Sequence, residues 1–476
     1  MRIPFNGPSY QARSVQLSAQ RCINLFLEQA PQGGKTPAAL YPTPGLRLFA
    51  TCGAGPHQGA MVCNDGLYVV SGGRIYTVAS NGVAVDIGGI GSPTGMVGMA
   101  FNGTQLLIVD GTGGYLVKTG ANTVNQIGAA GFPTGVTIAA FLDGYFVVTG
   151  DRSQRFWVSA LYDGTSWSAL DVASAEGDPD GIVGMIVDHR ELWLFGQRTT
   201  EVWIDSGGAN FPLQRLSNAF IEYGLSAAQS VAKMDNTIFW LGSNATGDGI
   251  VWRANGYVPE RISTHAIEQA IARYSKVSDA VAYTYQDAGH SFYVLTFPTG
   301  DATWVYDVAT GLWHERASRD PLTGALHRHK PNTHVFAYRQ HLVGDSTSGK
   351  LYALDQAMLT DNGDPILRLR SSPPEVDSDN QYLLFFGRFQ LDLDSGVGLD
   401  SGQGSAPVAM MRHSDDGGHT WSSSRQATMG RVGEYRARCK WERNGYGRVR
   451  CWEVSWSDPV DAKILGATVT VTKGNA

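Results

Sequence analysis

Residues 414–421, Ser414-Asp415-Asp416-Gly417-Gly418-His419-Thr420-Trp421, fit the Asp-box pattern Ser-x-Asp-x-Gly-x-Thr-Trp at full length. The chemistry of an Asp-box is local. Its aspartate accepts backbone N–H bonds within a hairpin turn, a glycine takes the left-handed conformation, and the tryptophan packs beneath. Asp-boxes recur in sialidases, so the motif raises glycan hydrolysis, which there uses an arginine cluster, a tyrosine nucleophile and an acid. This chain has a single box, and a motif outside its context identifies a turn rather than a reaction.

Other constellations are weaker. Glu176, Asp178 and Asp180 offer paired carboxylates, but acid–base work requires burial to raise one pKa, and Asp178-Pro179-Asp180-Gly181 is a strong turn sequence. His327, His329 and His334 lie close together. A zinc site would need a fourth ligand and outer hydrogen-bond partners, so they read as surface or loop histidines. Asp392, Asp394 and Asp400 lack EF-hand spacing and read as a solvated turn. Gly34-Lys35-Thr36 lacks the upstream glycine of a phosphate-binding loop, and there is no Gly-x-Ser-x-Gly elbow. No catalytic residue, metal or cofactor is expected.

The most distinctive charged stretch is Arg425–Arg450, with eight Lys or Arg and two Glu. Alternation along an expected strand, Tyr435–Trp441, puts Arg436, Arg438 and Lys440 on one face and Tyr435, Cys439 and Trp441 on the core side. With Arg448 and Arg450 these form a candidate partner surface. Three readings stay open: a solvated face, contact with an acidic protein subunit, and contact with DNA phosphate.

The elements that must position these groups come from a repeat. Seven copies share one phrase: a polar start, a short apolar run, a Gly-bearing turn, and a second apolar run with Tyr or Trp. They begin at Asp65, Asn102, Asp143, Asp188, Asp235, Gly289 and Gln340. Each copy reads as a β-hairpin. A hairpin recurring at this period marks a β-propeller, because one blade cannot bury both faces alone. One helix interrupts the strands after Thr264, a possible N-cap, with Ile267, Ala270, Ile271 and Tyr274 forming one apolar stripe. Ser371-Ser372-Pro373-Pro374-Glu375 and the polar Asp377–Asn380 read as a boundary.

Strands resume as Tyr382–Leu393, Val408–His413, Tyr435–Trp441, Val449–Trp456 and Ala467–Thr472, enough for a small sandwich. Asn444-Gly445 suggests a hairpin turn that would set Cys439 opposite Cys451.

The expectation is therefore an all-β chain. Residues 1–50 are a proline-rich arm, with one strand at Cys22–Glu28. Residues 51–370 are a six- or seven-bladed β-propeller with one inserted helix, and residues 371–476 a C-terminal β-sandwich. The net charge of -6 argues against a polyanion binder over the whole surface. Charged residues make up only 17% of the chain and aromatics 10%, which suits surfaces buried against partners. No apolar run is long enough for a membrane span. The first residues lack the apolar core of a secretory signal. Five scattered cysteines without a Cys-x-x-Cys pair read as free thiols of a reducing compartment.

Three stretches carry a family resemblance: CINLFLEQAP followed by TPGLRLF near the start, GDPDGIVGMIVDHRELWLFGQRTTEVW, and RISTHAIEQAIARYSKVSDAVAYTY. The chain resembles the packaged-DNA stabilisation proteins, or tail hub (nozzle) proteins, of short-tailed phages of the Salmonella podovirus type. The resemblance implies a structural role in the head-to-tail connector. Such subunits form a ring, of six by analogy, below the portal and adaptor rings. The ring closes or extends the DNA channel, retains packaged DNA, lets it pass without sequence recognition, and anchors a tail needle and tailspikes. It implies a virion tail protein assembled in the bacterial cytoplasm. The alternative from another class is a glycan-binding or sialidase-like propeller, which would keep arginines and carboxylates clustered at the propeller axis.

Overall fold

A computed structural model describes residues 1–30, 36–64, 66–150, 153–244, 247–377 and 382–474. Several residues named above lie outside these: Asp65 of the first repeat, Gly34 and Lys35, and Ser378, Asp379 and Asn380 of the boundary.

Seven antiparallel blades follow one another: four are separate four-stranded sheets, one has five strands, and two are parts of larger sheets. Blade 1 is His57–Cys63, Gly66–Ser71, Arg74–Val78 and Ala84–Gly89. Blade 2 is Gly98–Phe101, Gln105–Val109, Gly114–Lys118 and Thr123–Gln126. Blade 3 is Val136–Leu142, Tyr145–Gly150, Arg155–Ala160 and Asp163–Ser174. Blade 4 is Ile182–Asp188, Glu191–Gly196, Thr200–Asp205 and Leu213–Ile221. In blade 5 the inner strand is split into Gly224–Leu225 and Ala232–Met234, both pairing with Thr237–Asn244, and Gly247–Asn255 and Val258–Arg261 follow. Blade 6 is Val281–Asp287, His290–Phe297, Ala302–Asp307 and Leu312–Arg319. Each repeated hairpin supplies the second and third strands of one blade. Their apolar runs pack blade on blade, as where Cys63, Tyr68, Val70 and Ile75 of blade 1 meet Val97, Leu106, Ile108 and Val117 of blade 2.

Blade 7 is Pro331–Ala337, Gln340–Asp345 and Lys350–Asp355, and its outer strand, Gly45–Thr51, comes from the start of the chain. The inner strand of blade 7 packs beside that of blade 1, so residues 45–51 close the ring. Helix α1 (His265–Ile271) fills the gap between blades 5 and 6. Thr264 caps it, accepting from the Ile267 N–H, and Ile267 and Ile271 pack among Phe239, Leu241 and Val251 of blade 5 and Tyr293, Leu295 and Phe297 of blade 6.

The sandwich has two sheets. One runs Cys439–Trp441, Leu384–Leu393, Ile464–Lys473, Ala38–Pro42, Leu25–Gln29, with Arg2–Ile3 added on Ile464–Lys473. The other is continuous with blade 6: its outer strand pairs in parallel with Cys22–Ile23, which pairs with Arg368–Ser371, then Val449–Trp456, Val408–Ser414 and Arg425–Thr428. Residues 1–50 are therefore not an irregular arm. They place Ile3, Phe5, Cys22, Leu25, Leu27 and Leu40 in the same core as Phe386, Phe389, Trp441, Trp452 and Trp456. The expected single strand at Cys22–Glu28 is broken at Asn24, whose φ is 54°. This break lets Cys22–Ile23 join one sheet and Leu25–Gln29 the other. Asn24 fixes the break by donating to the carbonyls of Ala317 and Leu367, at 2.9 and 2.8 Å.

The Asn444-Gly445 hairpin is corrected. Cys439–Trp441 pairs with Leu384–Leu393 in one sheet, and Val449–Trp456 pairs with Val408–Ser414 in the other. Asn444 is buried and its amide donates to the carbonyls of Gly387 and Trp441, so this turn carries the chain across the core. Cys439 and Cys451 accordingly sit in opposite sheets, and all five cysteines are buried free thiols. Burial pushes the thiols of Cys439 and Cys451 up to about 12.

Arg370 ties the layers together. It is fully buried and donates to the carbonyls of Phe5 (2.6 Å), Pro8 (2.8 Å) and Arg21 (3.3 Å) and to Gln20 Oε1 (2.7 Å). Arg370→Met keeps the apolar stem and leaves these acceptors unpaired. It is expected to cost the sandwich about 3 kcal/mol or more. Hydrogen exchange should quicken in Leu384–Leu393 and Ile464–Lys473 while blades 2–4 stay protected. Unchanged protection in both regions would show that Arg370 is not the tie.

Candidate partner interface

The basic stretch splits into exposed and buried members. The expected strand Tyr435–Trp441 is only Cys439–Trp441. Residues 431–438 form a projecting loop, because Gly430 and Gly433 both adopt left-handed φ and the loop packs over Gly396 and Gly398. Tyr435 therefore does not face the core; it is 75% exposed. Arg431, Arg436, Arg438, Lys440 and Arg443 are exposed and have no side-chain partner among the described residues. Arg448 is exposed as well.

Arg450 is a correction to the candidate set. It is 1% exposed, makes bonds of 2.6 and 2.7 Å to the two oxygens of Asp415, and lies 4.3 Å over the Phe386 ring. It also donates to the carbonyl of Asn444. Alternation fails as a guide here because parity is lost across the turn at 443–447.

The Asp-box works as a fold device. The Asp416 carboxylate accepts from the Thr420 N–H at 2.9 Å, from Thr420 Oγ1 at 2.6 Å and from Ser414 Oγ at 2.7 Å. These bonds hold its pKa far below the ordinary carboxylate value. Gly417 and Gly418 have φ of 77° and 106°. A side chain on either would meet Gln16, Val15 or Ala19, so the turn seats the hairpin of Tyr10–Gln11 and Ala19–Gln20. Trp421 is only half-buried, under Arg412 at 5.0 Å.

The remaining candidates do not converge. Asp180 accepts from the Arg198 and Thr199 N–H groups at 2.6 and 3.0 Å, bracing a turn of blade 4, while Glu176 is exposed. Asp392 and Asp394 are half-buried and Asp400 is exposed. His327 is exposed and bonded to Asp301 at 2.7 Å. His334 pairs with His341 at 3.0 Å. His329 is not a surface residue; it is 1% exposed and neither ring nitrogen has a partner. Among the described residues no three His, Cys, Asp or Glu gather as a metal site, and no helix is long and apolar enough to cross a membrane.

Among the described residues, the innermost strands hold no cluster of charge. The innermost strands of the seven blades carry no Arg and no Glu. Their charged residues are Asp188, Lys233 and Asp287. Asp188 binds His189 at 2.8 Å, Lys233 the Val187 carbonyl at 2.8 Å, and Asp287 the Gln356 amide at 2.9 Å. Partly exposed positions there are Met61, Met99, Phe101, Ala139, Phe141 and Ile186. The arginine-and-carboxylate cluster that distinguishes a glycan-hydrolysing propeller is missing from these strands.

Two features escaped the sequence. The first is a group of buried arginines at the propeller–sandwich junction. Besides Arg370, Arg316 donates to the Pro44 carbonyl at 2.7 Å, and Arg368 is fully buried. Between these two charges lies buried Asp361, whose pKa burial raises while Arg316 pulls it back. The second is an acidic surface. Residues 171–261, from the end of blade 3 through blade 5, hold twelve carboxylates and six Lys or Arg. A pocket of about 530 Å³ there is lined by Gly177, Asp178, Arg198, Phe220, Glu222 and Tyr223. Counting charge by segment exposes this imbalance, whereas the net charge hides it.

Comparison with known proteins adds the following. A family model described as "Bacteriophage P22 Gp10, beta-propeller" matches residues 1–359, and one described as "Bacteriophage P22 Gp10, beta-sandwich" matches residues 374–472. No curated protein matches the chain. Similar solved structures include the extracellular domain of the putative one component system BT4673 from B. thetaiotaomicron, at 9% identity over 65% of this chain and 40% of that chain, TM-score 0.44. The match thus spans well under half the length of that protein. Virginiamycin B lyase from Staphylococcus aureus matches at 9% identity over 65% and 98% of the two chains, TM-score 0.43. The N-terminal domain of Nup159 matches at 9% over 71% and 99%, TM-score 0.43. No chemistry passes to this chain from likenesses that distant.

Two outcomes follow from the buried groups. Asp416→Ala should loosen the Asp-box turn and the hairpin on it, lowering the melting temperature; limited proteolysis should cut first within residues 12–18. An unchanged melting curve and cleavage pattern would refute that role. Burial also lowers His57 to about 4, His314 to about 3, and His329 well below its ordinary value. The unfolded chain then binds more protons below pH about 6.5, so stability falls as pH drops from there toward 4. Each histidine contributes at most ~1.4 kcal/mol per pH unit. Urea titrations at stepped pH should show this slope, and His329→Leu should flatten it.

Proposed function

The chain belongs to the bacteriophage P22 Gp10 family through both its β-propeller and its β-sandwich, and on that premise we propose that it is a ring-forming tail hub of the head-to-tail connector. As a member of that family it is a structural protein of a phage tail and a component of the virion. The finer reading has it sit below the portal and adaptor rings as a homo-oligomer, a hexamer by analogy. There it closes or extends the channel, retains the packaged DNA until ejection, and anchors the tail needle and tailspikes. Assembly takes place in the bacterial cytoplasm, where the five thiols stay reduced.

The observation that carries the reading is the pair of family matches, which follow the chain in the order propeller then sandwich and leave few residues outside them. The bare axis supports a role without catalysis. An enzyme needs groups aimed at a reacting atom, and the charged side chains of the inner strands are engaged in holding neighbouring turns. A subunit with net charge -6 has no overall attraction for DNA, so protein surfaces recruit it. Arg436, Arg438, Lys440 and Arg448 give it a basic edge for acidic neighbours, and the passing DNA is met without sequence readout.

Deleting the gene should yield heads that package DNA and then lose it, with infectivity restored when the purified protein is added back. DNA-filled, stable, tailed particles in its absence would overturn the connector role. Purified protein should turn over no sialoside or other glycoside. Turnover abolished by a change at one axial residue would favour the glycan-active alternative.

A further inference from the structure

Two surfaces of this chain are complementary in charge, and they lie on different units. The loop of residues 431–438 on the sandwich projects Tyr435, 75% exposed, and Val432, 54% exposed, among unpaired Arg431, Arg436 and Arg438, with Lys440 beside them. The 425–450 segment carries eight basic and two acidic residues, a local charge of +6 within a chain of -6. The pocket between blades 4 and 5 presents the opposite. Asp178 and Glu222 line it with a single cation, Arg198, and neither carboxylate has a side-chain partner among the described residues. Phe220, 43% exposed, gives it an apolar floor, and Glu176 stands at its approach. Its walls are held in place. The Gly177 N–H donates to buried Glu201 at 2.5 Å, and Asp180 pins the Arg198–Thr199 backbone. Tyr223 packs on Trp252 with ring centroids 4.3 Å apart.

We propose that the 431–438 loop of one copy docks in the blade 4–5 pocket of the next, Tyr435 against Phe220 and the flanking arginines against Asp178, Glu222 and Glu176. This rests on the reading that copies assemble side by side, and it names the surfaces they use. Tyr and Arg are the residue types that carry binding energy at the centre of interfaces. Arg pairs with carboxylates in a planar fork that lysine does not offer. DNA is the poorer occupant of the loop, because phosphate has no use for the apolar Tyr435 and Val432. The two patches differ, so the contact is head-to-tail, and such a contact closes into a ring when its rotation divides a full turn. Charge complementarity also makes it sensitive to salt.

The test is a charge swap. Wild-type protein in sedimentation velocity should self-associate at low salt, with the association constant falling about tenfold or more by ~0.3 M salt. Arg436→Glu/Arg438→Glu/Lys440→Glu and, separately, Glu176→Lys/Asp178→Lys/Glu222→Lys should each be monomeric at the same concentration, with wild-type melting curves. Mixed in equal amounts, they should associate again, because each loop now meets a pocket of opposite sign. Tyr435→Ala should weaken association without changing its salt dependence. The proposal is overturned if either triple variant associates like wild type, or if the mixture stays monomeric while both variants are folded. It is also overturned if wild type shows no self-association at low salt. In that last case DNA retention by particles still decides the connector role, so the two readings fail separately.

Discussion

Arg370 is completely buried, and every acceptor it meets belongs to residues 5–21. No carboxylate among the described residues faces it. Desolvation lowers its pKa to about 10, which leaves it charged at neutral pH, and three carbonyls and one amide oxygen stand in for the lost water. This condition propagates. The first twenty residues must lie against the sandwich for Arg370 to be satisfied where it is buried. That placement sets Cys22–Ile23 between Leu312–Arg319 and Arg368–Ser371, and so welds blade 6 to the sandwich. Arg316 and Arg368 are buried as well, the first donating to the Pro44 carbonyl and the second charged beside Asp361. Propeller and sandwich, separate by family description, are here joined through one segment that precedes both.

The parts of this fold visible in the sequence are the parts built from neighbours in the chain. A blade hairpin needs only two apolar runs and a turn, so the repeats announced the propeller, and Thr264 with the stripe ending at Tyr274 announced α1. Ring closure by Gly45–Thr51 is invisible locally, because a strand's partner three hundred residues away leaves no mark on its own pattern. The same holds for Arg2–Ile3 against Ala467–Thr468. Side-chain direction was misread where a strand was assumed. Between residues 431 and 450 the chain is mostly turns, and the period of two that sorted Arg436 from Tyr435 does not apply. A buried arginine such as Arg450 and an exposed one such as Arg438 look alike in sequence; only the partner, Asp415, separates them.

Charge in this protein is spent at the periphery and at the junction, not at the axis. The inner strands keep Met, Phe, Ala and Thr at their partly open positions, and the few ions near them close turns. Here the polar investment lies where segments join and where the outline of the molecule is set. That distribution suits a protein whose work is done by its surfaces.

Closure of blade 7 also fixes an order of events during synthesis. Residues 45–51 leave the ribosome long before residues 331–355, the strands they must pair with, and residues 1–30 wait longer still for residues 368–371 and 464–473. Until then the nascent chain is an open arc of blades with an unpaired edge at each end and an uncovered sandwich core. Closure therefore waits on contacts between distant parts of the chain, which form late and leave strand edges exposed along the way. The protein becomes a closed object only when nearly its whole length is present, so an incomplete copy has no finished ring of blades to offer a growing tail.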